Sequence, residues 1–392
     1  MQNKYGPTLG LVLSGGGARG AYQAGVMKGV AEIWRQSYSE QNPFPIITGV
    51  SAGSINACYL ASQADRFYDG VSQLADFWSN IRTEQVFRTD VWSLGRNSMS
   101  WIQDIIRGRV HSSGKVKALL DTGPLRRLLE EKIDCSKIKS NLQAGHLRAV
   151  AMSATNYRHN TNITFVEVLE KDSSWKRVRR SSENTSIDIS HIMASAAIPL
   201  FFPPIPIDGS YFGDGCMRNM APLSPAIRLG ADRLFIAGVK YDGDTHIQNT
   251  SKPSVARVLG VLLNAVFMDG IETDIERLSR INKTLRYVDD EDRRHIPLRP
   301  IDYVHIHPSE DLASYALAQF ERLPLTMQYL FQGLGSKEEG AELISYLLFE
   351  PTYCGHLVEL GYQDAMAMRY EIEDFLLSTR MRETASNAEY YR

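Results

Sequence analysis

Two stretches near the start of the chain carry residue types that can do acyl chemistry. Ser14-Gly15-Gly16-Gly17-Ala18-Arg19-Gly20 follows one apolar run, and Gly49-Val50-Ser51-Ala52-Gly53-Ser54 follows a second. Consecutive glycines let the backbone turn several N–H groups toward one point, and a following helix N-terminus adds positive potential. Donors so placed stabilise a tetrahedral oxyanion, each contributing about 3–4 kcal/mol to lowering the barrier. Gly49-x-Ser51-x-Gly53 has the small residues that a strained strand-to-helix turn requires, with Ser51 at its apex as the nucleophile. The plain alternative is that Ser51 is only an N-cap. A nucleophile and an oxyanion pocket are two parts of an acyl-transfer site. The third is a base for the serine.

Gly15-x-Gly17-x-x-Gly20 also fits the dinucleotide pattern, which expects an acidic residue at the end of the second strand to hold a ribose. Here that strand ends in Gly49-Val50-Ser51, which argues against a nucleotide. Two bases fit the serine. Ser51, Asp214 and His305 or His307 stand in the order of a hydrolase triad, although Val304-His305-Ile306-His307 alternates as a strand does and nothing else marks either histidine. The other is Asp214 alone. In Ile207-Asp208-Gly209-Ser210-Tyr211-Phe212-Gly213-Asp214-Gly215, the first Asp-Gly reads as a hairpin turn between two short apolar runs. Asp214 then falls just past the second run, at a strand end. A carboxylate with a pKa of about 4 in water is a poor base for a hydroxyl. Burial beside apolar walls raises that value, and Ala194 to Pro204 (ASAAIPLFFPP) offers such walls, or is simply core.

The elements that position these residues follow from patterning. Thr8 to Leu13 and Phe44 to Val50 are buried-strand runs; Ala21 to Arg35 and Ser51 to Ala61 are helical. Strand, glycine turn, helix, strand, tight turn, helix is a βαβα start, implying a parallel sheet with covering helices. Further strands are expected at Leu147–Met152, Ile163–Val168, Arg233–Val239 and Tyr303–His307, with helices near 123–131, 221–230, 254–284 and 340–379. Residues 289–300 form a charged loop, and the polar tail from Met381 is expected to fray.

With 43% hydrophobic and 22% charged residues over 392 positions, the chain reads as a globular protein with a sizeable core. A formal charge of −2 gives no electrostatic footprint for nucleic acid. The scattered cysteines Cys58, Cys135, Cys216 and Cys354 form no metal or disulfide pattern, which fits reduced thiols in a cytoplasmic setting. No signal-peptide pattern is present, and the most apolar stretch, Val258 to Met268, is too short to span a bilayer. Membrane contact is therefore expected to be peripheral. Phe87 to Val110 mixes Trp92 and Trp101 with Arg88, Arg96, Arg107 and Arg109, which suits a lid or a membrane-docking segment, or an ordinary amphipathic surface helix.

Taken jointly, GGGARG at 15–20, GVSAGS at 49–54, ASAAIPLFFPP at 194–204, Asp214-Gly215 and Asn219-Met220-Ala221-Pro222 resemble the patatin-like phospholipase family in order and spacing. The resemblance covers roughly residues 8–240, with later segments similar to bacterial stand-alone members. It implies a three-layer α/β/α fold with a mostly parallel central sheet and a C-terminal helical extension. The expected organisation is a catalytic core at 8–240, completed by 241–310 and followed by a helical extension at 311–392. It further implies hydrolysis of lipid acyl esters, phospholipids above all, by a Ser51–Asp214 dyad. Gly15, Gly16 and Gly17 would form the oxyanion hole, with Arg19, Gly49, Gly53 and Gly215 in support. No cofactor is implied, and no D-x-D-x-D-G calcium pattern is present, so calcium-independent turnover is expected. The family usually has Asp-Gly-Gly where this chain has Asp214-Gly215-Cys216, which bears on the local loop geometry. An acyltransferase would share the acyl-enzyme, and a non-catalytic lipid-binding protein would share the fold.

Overall fold

The computed structural model describes residues 7–37, 39, 41–88, 118–169, 174–243 and 252–378. Among these, ten strands form one sheet: β1 (Leu9–Leu13), β2 (Ile46–Val50), β3 (Ala149–Asn156), β4 (Thr161–Val168), β5 (Lys176–Arg177), β6 (Arg180–Asn184), β7 (Ile205–Ile207), β8 (Ser210–Asp214), β9 (Arg233–Ala237) and β10 (Asp302–Ile306). The order is β10-β9-β1-β2-β3-β4-β6-β5, and β10 through β3 run parallel. β1 is buried at all five positions, as its unbroken apolar run requires in a strand covered on both faces.

Alternation along the strands divides the interior in two. Leu9, Leu11, Leu13, Phe235 and Ala237 face one core, shared with α1 (Gly20–Ser37), α2 (Ala52–Ser62), α3 (Phe67–Ser79) and the helix Pro351–Ala367. Val12, Leu234 and Ile236 face the other, covered by Leu223, Ala226, Ile271 and Leu278 from the helices Ser224–Arg228 and Asp269–Leu285 and the turn before them. The chain thus adopts the expected α/β architecture, a mostly parallel sheet with helices on both faces and helices at its C-terminal end. The helix Pro351–Ala367 lies along α1, where Gly25 and Gly361 let the two backbones touch: a Cβ at Gly25 would run into the Val358 carbonyl.

One topological feature places the site. β3 pairs with β4 along its whole length on one side. On the other it pairs with β2 only as far as Val50↔Ser153, and then with the antiparallel β8 from Ala154↔Asp214 onward. β2 and β8 therefore meet end to end along one edge of β3, which brings the residue after Val50 next to Asp214. The Asp208–Gly209 turn joining β7 to β8 has positive φ at both residues, as its Asp-Gly pair suggests.

Departures from the sequence pattern are local. The stretch expected as one helix at 254–284 is two, Val255–Phe267 and Asp269–Leu285, divided at Met268. The β5–β6 hairpin, polar along its length, extends the sheet beyond β4 without any apolar alternation to announce it. Of the expected lid or docking segment at 87–110, with Trp92 and Trp101, residues from 89 on lie outside the described residues, as does the tail from Met381. Phe87 itself is buried between Phe202 and Phe349, and Arg88 pairs with Asp121 at 3.3 Å. Among the described residues no helix is long and apolar enough to cross a membrane.

Candidate active site

Ser51 closes the β2–α2 turn with φ 54° and ψ −128°, a backbone conformation that side-chain-bearing residues adopt only when their surroundings enforce it. The surroundings here are tight. A Cβ at Gly49 would collide with the Gly53 carbonyl, and one at Gly53 with the carbonyls of Leu13 and Ser14. The G-x-S-x-G spacing is thus a packing requirement between the turn, its own helix and the end of β1. Ser51 stands at the N-terminus of α2, whose partial positive charge favours an alkoxide. The hydroxyl of Ser195 accepts the Ser51 N–H at 3.0 Å and donates to the Ser153 carbonyl at 2.7 Å, tying the elbow to β3. Sequence reading treated Ser195 only as part of an apolar wall. A polar residue inside ASAAIP was the available signal. Ser195→Ala should leave the elbow N–H without its acceptor, costing about 1–3 kcal/mol of stability. Chemical denaturation and kcat checked together should show both falling, with Ser195→Thr closer to wild type.

Asp214 ends β8 and is fully buried. Its backbone is held by Ala197 and Thr155, through N–H to the Ala197 carbonyl at 3.0 Å and from Thr155 Oγ1 to its own carbonyl at 2.8 Å. Carboxylate Oδ1 accepts the Cys216 N–H at 2.9 Å, while Oδ2 has no hydrogen-bond partner among the described residues. Burial pushes its pKa up from 3.8 to about 7, against the opposing pull of the Ser51 hydroxyl and of the Cys216 N–H and thiol. Ser51 is thus close enough to act on the carboxyl, and Oδ2 remains free to receive a proton. The turn that follows needs Gly215, whose Cβ would collide with the Ser153 carbonyl, and Asn162 Nδ2 donates to the Gly215 carbonyl at 3.1 Å.

The glycine loop lies beside this pair. A Cβ on Gly15 would stand 3.0 Å from Ser51 Cβ and 2.5 Å from Cys216 Sγ, so the loop, the elbow and the Asp214 turn converge there. Gly17 has φ +57° and backs onto the Tyr346 carbonyl with no room for a side chain. The N–H groups of Gly16 and Gly17 meet no acceptor among the described residues, and that of Gly15 faces the Cys216 sulfur. Cys216 occupies the usual glycine position without strain, because its φ is not among the positive ones. Its thiol pKa is driven well up, by burial first and by Asp214 second, so it is a neutral donor toward the carboxyl. Removing that donor in Cys216→Ala should move the acid limb of the pH–rate profile upward. An unchanged limb would mean that the thiol does not act on Asp214.

Arg19 does not reach Ser51. It is buried, stacks on the Tyr346 ring at 4.6 Å, donates Nε to Ser345 Oγ at 2.8 Å and pairs with Glu342 at 2.5 Å. It therefore fastens the glycine loop to the helix Ala341–Leu347. A second brace went unread in the sequence: Gln23 donates to the Ser14 and Ala237 carbonyls, and Asn56 to Gln23 and the Gly20 carbonyl. Trp78 Nε1 completes it on Asn56 at 2.6 Å. Polar residues at buried positions of apolar helices were the signal. The histidines fall elsewhere. His305, on β10, pairs with Ile236 of β9, with β9 and β1 between it and β2, and its ring faces His307 and Gly238.

Against Ser51 opens an apolar cavity of about 20 Å³, lined by Ile55, Trp78, Leu125, Ile198, Phe202 and Phe349 among others. That is room for a single water and not for an acyl chain. Ser51 is only 1% exposed, so acyl binding requires these walls to part.

A strained serine elbow and a glycine loop at the carboxyl ends of parallel strands, with a buried carboxyl at the end of the antiparallel β8, define a class, that of the α/β proteins with a serine at a strand–turn–helix elbow. Within it the chain belongs to the patatin-like phospholipase family, whose sequence profile matches residues 11–227, more than half the chain. That family is one of lipid hydrolases. Two solved structures are similar at 13% identity. VipD from Legionella pneumophila matches over 93% of this chain and 67% of its own, with a TM-score of 0.35. Human GIVD cytosolic phospholipase A2, in complex with methyl gamma-linolenyl fluorophosphonate, matches over 97% and 60%, with a TM-score of 0.42, so the chain spans less than two thirds of that protein. No curated protein sequence matches the chain.

Proposed function

We propose that the chain is a lipid acyl hydrolase of the phospholipase A or lysophospholipase type, a carboxylic ester hydrolase working through Ser51 and Asp214 without calcium. The observation that carries this reading is the end-to-end meeting of β2 and β8 on β3. It sets a serine at a helix N-terminus beside a buried carboxyl whose pKa is about 7 and whose Oδ2 has no hydrogen-bond partner among the described residues.

Asp214 takes the Ser51 proton as Oγ attacks the ester carbonyl. The Gly16 and Gly17 N–H groups, with Gly15 beside them, receive the developing oxyanion. The protonated Asp214 then gives its proton to the departing lysolipid or glycerol oxygen, leaving an acyl-Ser51. Water, deprotonated by Asp214, attacks that ester; fatty acid leaves and Ser51 regains its proton. The apolar walls beside Ser51 would receive the acyl chain once parted. Gly49, Gly53 and Gly215 shape the turns, and Arg19 holds the oxyanion loop.

Fatty-acid release from mixed phospholipid vesicles, with chelator present, tests the reading. Wild type should be active with or without chelator, and Ser51→Ala should lose on the order of a thousandfold or more. The His305→Ala/His307→Ala variant should keep its activity. Loss of all wild-type turnover on chelation would overturn the calcium-independent mechanism. Activity that survives in Ser51→Ala would overturn the role of the serine.

A further inference from the structure

The second sheet face opens into a groove of about 760 Å³ between the β5–β6 hairpin, residues 221–228, the helix Asp269–Leu285 and the segment 296–301. Five arginines line it: Arg177, Arg180, Arg228, Arg277 and Arg299. The only carboxylate in the lining, Asp274, is buried and already engaged. Its Oδ2 accepts the Leu223 N–H at 3.1 Å and its Oδ1 takes Arg277 at 3.2 Å. Arg299 is engaged as well, with Asp232 at 3.7 Å and with the carbonyls of Ile227 and Ala231.

That leaves Arg177, Arg180 and Arg228 in no ion pair among the described residues; Arg180 feels the charge of Asp274, which Arg277 already pairs, and Arg228 stands over the Trp175 ring at 5.9 Å. The three are close enough to repel. Partial burial, with Arg177 and Arg180 nearby, pushes the Arg228 guanidinium below its ordinary pKa. Gathering three like charges around one depression is unfavourable unless an anion neutralises them. Guanidinium forks match phosphate oxygens in pairs, and a phosphomonoester brings two charges on one phosphorus where a phosphodiester brings one. Beside the cations stands an apolar wall of Ile227, Leu278, Ile281, Ile296 and Leu298.

We propose that this groove is a phosphomonoester-binding site, separate from the Ser51 centre, that takes the head group of a phosphate-bearing lipid. The arginines hold the phosphate, and the apolar wall receives the body that a soluble phosphate would lack. The site stands independently of the Ser51 reading, because binding is measured without hydrolysis.

Flotation with phosphatidylcholine vesicles carrying phosphatidic acid, phosphatidylglycerol at equal mole fraction, or neither, gives the test. Titration with glycerol 3-phosphate supplies the soluble arm. Wild type should prefer phosphatidic acid over phosphatidylglycerol by roughly tenfold or more. The variant Arg177→Gln/Arg180→Gln/Arg228→Gln should lose that preference while keeping its melting temperature and its turnover of a soluble ester. Lys132→Gln/Lys139→Gln/Lys337→Gln, which removes the same charge at exposed positions outside the groove, should keep the preference. Binding of glycerol 3-phosphate that the groove variant abolishes, with no vesicle preference, would support the site and assign it to a soluble phosphomonoester. Equal affinity for the two anionic vesicles, a preference that survives in the groove variant, or no binding in either arm would overturn the proposal.

Discussion

Asp214→Asn should abolish ester hydrolysis and at the same time stabilise the protein at alkaline pH. The amide keeps the shape of the side chain, and its oxygen can still accept the Cys216 N–H at the Oδ1 position, but it cannot accept a proton from Ser51. Activity should fall by on the order of a thousandfold or more. The stability effect follows from linkage. The carboxyl's pKa is about 7 in the folded chain against 3.8 for the free group, so the native state holds a proton that the unfolded chain has released. Its contribution to stability is fully present below pH 3.8 and is lost as pH rises through 7. A shift of that size corresponds to about 4 kcal/mol between the two ends of the window. Unfolding free energies of wild type and Asp214→Asn should therefore diverge from pH 5 to pH 8, with the variant the more stable at pH 8. Parallel curves would show that the carboxyl is not held protonated. Wild-type kcat/KM should rise with an acid limb near pH 7, as the same group becomes a free base.

The second large effect is at Arg19. Its side chain is 5% exposed and that of its partner Glu342 is 17% exposed, so Arg19→Ala leaves a carboxylate and the Ser345 hydroxyl without their donor in the interior. Breaking such a pair from one side costs about 3–5 kcal/mol. The glycine loop would lose its anchor on the helix Ala341–Leu347, so kcat should fall in whatever fraction stays folded. Arg19→Lys should recover only part of either loss, because an ammonium cannot serve Ser345 and Glu342 as a rigid fork does. Urea unfolding of the three proteins measures this directly. A cost below about 1 kcal/mol would mean the pair behaves as a surface contact.

These two residues also show what the sequence could and could not say. Ser51 and its flanking glycines were legible because a strained strand-to-helix turn admits few residue types. The hairpin leading to Asp214 was legible because Asp208-Gly209 between apolar runs names its own turn. Their meeting on one edge of β3 was not, since a change of pairing partner midway along a strand leaves no local signature. What Arg19 braces was not legible, because its partners Glu342 and Ser345 lie more than three hundred residues away. The β5–β6 hairpin was missed for the opposite reason: KR and RSSEN at an exposed sheet edge carry no alternation for a pattern to find. At Met268, where one expected helix became two, the available signal was Asp269-Gly270 directly after it, which the apolar spacing on either side masked.

Treatment with a fluorophosphonate, followed by intact mass and peptide mapping, tests the central claim most directly. One adduct should form, on Ser51, and it should be absent in Ser51→Ala and slowed in Asp214→Asn. It should form faster as pH rises through 7. An adduct on another residue, or labelling of Ser51 that is indifferent to Asp214, would contradict the assignment of this serine and this carboxylate as nucleophile and base.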